Sequence, residues 1–311
     1  MRILVMGSGG IGGYYGARPA RAGNEVVFVA RGAHLEAIQA NGLEIRDRDG
    51  SVWRPEARTV RYPADAGGTF DLILFAVKTY DTREAAAAIE PVIGPETCIV
   101  PIQNGVDSVE EIGAVVDPAR VLAGSTLLSS TIVAPGVVQQ LGTNFSITIG
   151  EPAGPRSARV ERIVATFHAA GIDQAVATDD AQQGLWEKFM FLAPCASINS
   201  ASGLSTGHTK GLAEGRETVL AMQREIRAVG LASGFNLPDE VAKRVEALYL
   251  GLSDGHTTSM QRDFAAGKRV ELESLTGSVV RRGRQVGVPT PIFSAVYAIL
   301  RARALHDGNV T

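Results

Sequence analysis

Seven residues near the start of the chain, Gly7-Ser8-Gly9-Gly10-Ile11-Gly12-Gly13, hold five glycines and lie between two apolar runs. The first run is Arg2-Ile3-Leu4-Val5-Met6 and the second is Val26-Val27-Phe28-Val29-Ala30. Both have strand length, and the interval between them suits one helix. The pattern is strand, glycine turn, helix, strand, with the G-x-G-x-x-G spacing at Gly7, Gly9 and Gly12. Gly7 permits the tight turn, Gly9 lets a pyrophosphate approach the backbone, and Gly12 lets the helix pack close to the strand. The helix start offers unpaired N–H groups and a partial positive charge to phosphates. Ser8, Gly10 and Ile11 complete the expected cradle. Pro19 falls inside the predicted helix and is expected to kink or shorten it.

The end of the second strand carries the next constraint. Units that bind NAD place an acid there for the ribose 2′-hydroxyl, but this chain reads Phe28-Val29-Ala30-Arg31-Gly32. Arg31 lies 19 residues after Gly12 and suits a 2′-phosphate, so the sequence predicts NADP. The competing reading is a solvated arginine at a loop start.

The remaining chain reads as two domains. Its 311 residues suffice for both, and Lys+Arg 30 against Asp+Glu 33 speaks against a nucleic-acid partner. No uncharged apolar run reaches the roughly 18 residues expected of a membrane span. The strand-like N-terminus is used by the fold and is not read as a signal peptide, so a cytoplasmic location is expected. Cys98, Cys195 and the five histidines have no metal-ligand spacing, and no metal is expected.

Phe70 to Val77 is nearly all apolar, as a strand buried on both faces should be. Asp81-Thr82-Arg83-Glu84 reads as a capping box opening a helix that stops at Gly94-Pro95. Cys98 to Ile102 is the next strand, a helix is expected from Asp107, and Val121 to Gly124 is expected to continue the sheet. Val137 to Leu141 and Phe145 to Gly150, separated by Gly142-Thr143-Asn144, read as an antiparallel hairpin. From Thr178-Asp179-Asp180 onward the pattern is helical. Leu185, Trp186, Phe189 and Leu192 mark a helix that Pro194 should disturb, and Val241, Val245, Leu248 and Leu252 mark another stripe. The predicted fold is α/β: an N-terminal Rossmann-type doubly wound sheet over residues 1–178, then an all-α domain over 179–311. The strand ends carry Gly7, Arg31, Lys78 and Asn104, where open α/β sheets bind ligands, and the helical domain is expected to close over that edge.

Further motifs make the reading specific. Val77-Lys78, Gln103-Asn104-Gly105, Trp186-Glu187-Lys188-Phe189, Ser259-Met260-Gln261-Arg262-Asp263 and Gly267-Lys268-Arg269-Val270-Glu271-Leu272-Glu273 follow the glycine turn in order. In this the chain resembles the ketopantoate reductase (2-dehydropantoate 2-reductase) family along essentially its whole length. The resemblance implies NADPH-dependent reduction of ketopantoate to pantoate, on the route to pantothenate and coenzyme A. It implies that Lys188 is the general acid that protonates the carbonyl oxygen as hydride arrives, and partial desolvation would lower its pKa. Taken by itself, Lys188 also fits a lysine snorkelling from an apolar helix. Glu271 matches the glutamate that binds the substrate hydroxyl and borders the nicotinamide site. The spacing places it in the first turn of its helix. Ser259 matches a substrate-binding serine, and Asn104 an asparagine touching nicotinamide and substrate. Lys78 matches a second cation of the NADP site, and Ser130 a backbone contact to the cofactor.

Some relatives carry substrate-contacting asparagines four and eight residues after the lysine, where this chain has Leu192 and Ala196, which are expected to meet the substrate as an apolar wall. His256 and Thr206 stand at two further asparagine positions, and Asn199, eleven residues after Lys188, is not taken as a substitute. The partner implied is a small 2-oxo acid, with a homodimer through the helical domain consistent with the family. Two alternatives stay open: a reductase of another 2-oxo acid in the same family, and a non-catalytic NADP(H)-binding sensor. Retention of both Lys188 and Glu271 counts against the sensor.

Overall fold

In strand β1 (Arg2–Met6) successive side chains point to opposite faces of a sheet, and both faces are covered. Ile3 and Val5 enter one apolar cluster with Phe28, Leu72 and Val100, while Leu4 and Met6 enter another with Val27, Ile73 and Ile99. That is why the strand is apolar without alternation. Each such side chain contributes roughly 1.5–3 kcal/mol on burial. The structure is a computed structural model and describes residues 1–309. The chain forms two compact units: residues 1–103 with 108–181, and residues 104–107 with the chain from Gln182 onward.

In the first unit, helix α1 (Gly10–Arg21) leads from β1 to β2 (Glu25–Val29), and α2 (Gly32–Asn41) follows. Short strands β3 (Glu44–Arg46), β4 (Val52–Trp53) and β5 (Arg58–Val60) precede β6 (Phe70–Phe75). Helix α3 (Thr82–Ala88) then leads to β7 (Ile93–Pro101). One five-stranded sheet among the described residues has the order β5-β2-β1-β6-β7, with every pair parallel. The chain leaves β1 to one side and returns through β6 on the other, so the topological switch point lies between β1 and β6.

Helix α4 (Ser108–Gly113) precedes the hairpin of β8 (Ala123–Ala134) and β9 (Val137–Gly150), and α5 (Ala158–Ala169) leads to β10 (Gln174–Ala177). These strands form a second sheet, β10-β9-β3-β4, with β8 paired to β9. Helix α1 packs between the sheets: Tyr14 and Tyr15 stand 5.0 and 5.1 Å from the Phe145 ring of β9. Pro19 falls in the last turns of α1, which ends two residues later.

Several expectations are corrected here. The hairpin turns at Pro135-Gly136, where Gly136 adopts a φ of 78°, and not at Gly142-Thr143-Asn144. Gly142 is instead extended, and a Cβ there would lie 3.1 Å from Ser129 across the hairpin, so it marks a close cross-strand approach. Residues 123–124 lie in the second sheet; only an isolated bridge from Val121 to Ile99 reaches the first. The helix begun near Asp81 stops at Ala88 because Pro91 cannot continue it, and Asp81 makes no side-chain cap.

The second unit is helical. Helix α6 (Ala181–Ser202) runs unbroken through Pro194, contrary to expectation. Ala193, Cys195 and Ala196, all buried, hold it in place against the lost backbone bond and the ring clash that a proline brings. It is followed by α7 (Thr206–Gly211), α8 (Ala213–Ala232), α9 (Asp239–Leu250), α10 (Ser259–Ala265), α11 (Ser278–Val286) and α12 (Pro291–His306). Trp186, Phe189, Met222, Ile226, Met260, Leu272 and Phe293 share its core. On α9 the buried stripe is Val241, Val245 and Tyr249, and Leu248 is exposed.

Candidate functional site

The first unit presents a cradle at the end of β1. Gly7 has a φ of 99°, and a Cβ on it would lie 2.8 Å from the Val77 nitrogen. A Cβ on Gly12 would lie 2.1 Å from the Gly7 carbonyl oxygen, and one on Gly10 would lie 2.6 Å from the Ser130 carbonyl oxygen. These three glycines allow backbone to touch backbone. Gly9 differs: a Cβ there would meet nothing within 4 Å. The loop therefore opens at Gly9, the helix N-cap. No side chain caps α1, and no acid lies in its first turn. Its N–H groups, including that of Ile11, form an end suited to an anion.

Arg31 is the N-cap residue of α2 and is 55% exposed. Its guanidinium lies 3.9 Å from Asp81 and 3.6 Å from Glu84. Exposed pairs of this kind are worth ~0–1 kcal/mol and yield readily to a stronger anion. Lys78, half-buried, precedes the short turn Thr79–Asp81, and its carbonyl accepts the Asp81 N–H at 2.9 Å. Gln103 has a role the sequence did not reveal. Its Nε2 donates to the Val77 carbonyl and to Thr82 Oγ1, both at 2.9 Å, joining the ends of β6 and β7.

The second unit brings together Lys188, Glu271 and Asn104. Lys188 sits on α6, in sequence between the buried Trp186 and Phe189. Removal of its ammonium from water pushes its pKa down to about 8, while the negative charge of Glu271 works the other way. Glu271 is buried and accepts a hydrogen bond from Asn104 Nδ2 at 3.2 Å. It stands just before its helix rather than in the first turn: Leu272 is the first helical residue, followed by a π-turn over Glu273–Gly277. The Leu275 N–H and the Ser274 hydroxyl both donate to the Glu271 carbonyl, at 3.1 and 3.3 Å. Glu273 points elsewhere, to Arg281 and the Tyr297 hydroxyl.

The segment 104–107 is tied into this unit from its other end. Asp107 pairs with Arg282 at 2.6 Å, and the Arg282 guanidinium stands 5.9 Å from the Trp186 ring. Nothing in the local sequence pointed to this pair. Ser259, half-buried, opens α10 after the cap residue Thr258. Leu192 is half-buried, whereas Ala196, expected beside it on the substrate wall, is fully enclosed in the helical core and presents no surface to a ligand. Asn199 is also buried, and its Nδ2 donates to Thr206 Oγ1 at 3.0 Å. Thr206 Oγ1 in turn lies 3.0 Å from His256 Nδ1. Asn199 lies three helical turns from Lys188, on the same face of α6. Among the described residues no cluster of His, Cys, Asp or Glu is placed to hold a metal ion, and no helix is long and apolar enough to cross a membrane.

Comparison with known proteins decides the family. The model for "Ketopantoate reductase PanE/ApbA" matches residues 3–154, and that for its C-terminal domain matches residues 180–304. The chain belongs to the ketopantoate reductase family. A 2-dehydropantoate 2-reductase of Mesorhizobium japonicum is 33% identical, over 99% of each chain. The crystal structure of 2-dehydropantoate 2-reductase from Methylococcus capsulatus is 32% identical, with a TM-score of 0.88, and the match covers 99% of this chain and 98% of that one. A D-mandelate dehydrogenase structure superposes with a TM-score of 0.90 at 19% identity, a likeness of fold alone. The ketopantoate reductase family is one of oxidoreductases, and both its domains are present here.

Proposed function

We propose that this chain reduces ketopantoate to pantoate with NADPH, Lys188 serving as the general acid, and so supplies pantoate for pantothenate and coenzyme A. The observation that carries the reading is the lysine whose pKa is pushed down to about 8, close to a glutamate that an asparagine holds in place. A proton donor works best when its pKa lies near the operating pH. When bound, the nicotinamide dinucleotide supplies the hydride. The glycine turn and the N-terminus of α1 would hold its pyrophosphate, and Arg31, aided by Lys78, its 2′-phosphate. Ser130 would lend a backbone contact.

Lys188 delivers its Nζ proton to the carbonyl oxygen as negative charge builds there, which spares the reaction a free alkoxide. Glu271 accepts a hydrogen bond from the substrate hydroxyl, Asn104 keeps the Glu271 carboxylate oriented, and Ser259 donates to the substrate carboxylate. Leu192 offers an apolar surface for the gem-dimethyl group. Ala196, enclosed in the core, acts by keeping α6 closely packed.

The test is kcat/KM for ketopantoate against 2-oxoisovalerate, which has the branched end and no hydroxyl. Ketopantoate should win by at least about tenfold, the equivalent of one hydrogen bond of ~1.4 kcal/mol. A preference for 2-oxoisovalerate would assign the chain to another 2-oxo acid. NADPH binding with no turnover of any 2-oxo acid would leave the sensor.

A further inference from the structure

Helix α2 carries more than Arg31. His34, one turn further along, reaches two separate parts of the first unit. Its Nδ1 lies 3.0 Å from the backbone nitrogen of Gly136, in the β8–β9 turn. Its Nε2 lies 2.9 Å from the carbonyl oxygen of Ser8, inside the glycine turn. These contacts fix the tautomer. A backbone N–H can only donate, so Nδ1 is the acceptor and carries no hydrogen. A carbonyl can only accept, so Nε2 carries the hydrogen and donates it. The ring is therefore neutral, and burial, which holds His34 below the usual histidine range, acts in the same sense.

Ser8 is held at every other polar atom as well. Its N–H donates to the Val29 carbonyl at 3.1 Å, and its hydroxyl donates to the same oxygen at 2.6 Å. Only the carbonyl is left to set the plane of the Ser8–Gly9 peptide. In a trans peptide the C=O and the following N–H point in opposite directions. A carbonyl drawn toward His34 turns the Gly9 N–H away from it, and Gly9 is the residue of the turn with open space around it. The Gly9 carbonyl accepts the Gly13 N–H at 2.7 Å, but that bond acts on the next peptide, and glycine has no Cβ to restrict the one before it.

We propose that His34 is a positioning residue of the phosphate-binding turn: its Nε2–H holds the Ser8 carbonyl and thereby aims the Gly9 N–H at the dinucleotide pyrophosphate. This rests on the dinucleotide reading of the glycine turn. The same helix then serves both ends of that ligand, Arg31 for the 2′-phosphate and His34, indirectly, for the pyrophosphate.

The two ring nitrogens can be separated by substitution. His34→Gln keeps a donor near the position of Nε2. His34→Asn keeps an acceptor near that of Nδ1 and is too short to bring its amide N–H to the Ser8 carbonyl. Dissociation constants for NADPH and NADH are measured by cofactor fluorescence. His34→Asn should weaken both by about tenfold, since both carry the pyrophosphate, whereas Arg31→Ala should weaken NADPH alone. His34→Gln should stay within about threefold of wild type. Hydrogen exchange of the Gly9–Ile11 amides, without cofactor, should quicken in His34→Asn and not in His34→Gln. The tautomer is read on the unmodified protein by 15N NMR. An Nδ1–H ring would overturn the inference whatever the variants do, as would wild-type affinity in His34→Asn or equal losses in both variants. If wild type bound neither dinucleotide, the cofactor reading would fall first and the inference with it.

Discussion

At Lys188 two influences oppose each other, and burial wins. The pKa falls to about 8, although Glu271 pulls it upward. A general acid must carry its proton, so kcat/KM should be level below that pH and decline as pH rises through about 8. Glu271→Gln removes the charge that supports the protonated form, so the decline should move to lower pH. A limb that stays in place would mean that Glu271 does not act on Lys188. Lys188→Ala should cost about two to four decades in kcat with NADPH affinity nearly unchanged, the usual range for a general acid. Normal turnover in that variant would make Lys188 a snorkelling side chain. The sequence contained both residues but not the Asn104–Glu271 bond, because 167 positions separate the partners. Nor did it contain the Asn199–Thr206–His256 chain, whose members gain their meaning only once the helices pack.

At the scale of elements, periodicity told what local chemistry could tell. The βαβ unit at the N-terminus was legible because its strand, turn and helix are contiguous and each glycine has a local cause. The β8–β9 hairpin departs from the expected one because a glycine can mark a turn or a close approach between strands, and Gly136 and Gly142 are one of each. Pro194 misled for a related reason: a proline costs a helix one bond and a clash, and a helix buried among apolar neighbours survives that. The π-turn after Glu271 had no sequence signal. The glycine turn itself yields a contrast. Gly12→Ala would place a Cβ 2.1 Å from the Gly7 carbonyl oxygen, so it should destabilise by ~1–3 kcal/mol or more, measured by urea unfolding. Gly9→Ala has φ −67° and an open surround, so it should change stability by less than ~0.5 kcal/mol. It should nevertheless weaken dinucleotide binding, because the new methyl group occupies the side left open for the phosphates. Equal stability loss in the two variants would remove the distinction between packing and binding glycines.

At the scale of the whole molecule, the chain divides its chemistry. The residues proposed for the dinucleotide phosphates, Gly7 to Gly12, Arg31 and Lys78, all lie in the first unit. The proposed proton donor and its partners, Lys188, Glu271 and Asn104, all lie in the second. A chain of two units need not melt in one step, so the ligand's effect is best read on the first unit's own signals. A ligand at about 100 times its dissociation constant stabilises the state that binds it by ~2.7 kcal/mol. Amides of the first unit should gain that protection with saturating NADPH in hydrogen exchange. If Arg31 carries the 2′-phosphate, Arg31→Ala should weaken NADPH by one to two decades, each ~1.4 kcal/mol. At the same NADPH concentration its protection should then fall to ~1.4 kcal/mol or less, while protection by NADH at its own saturating level stays as in wild type. An equal drop for both dinucleotides would mean that Arg31, paired as it is with Asp81 and Glu84, shapes the strand end and does not select NADP.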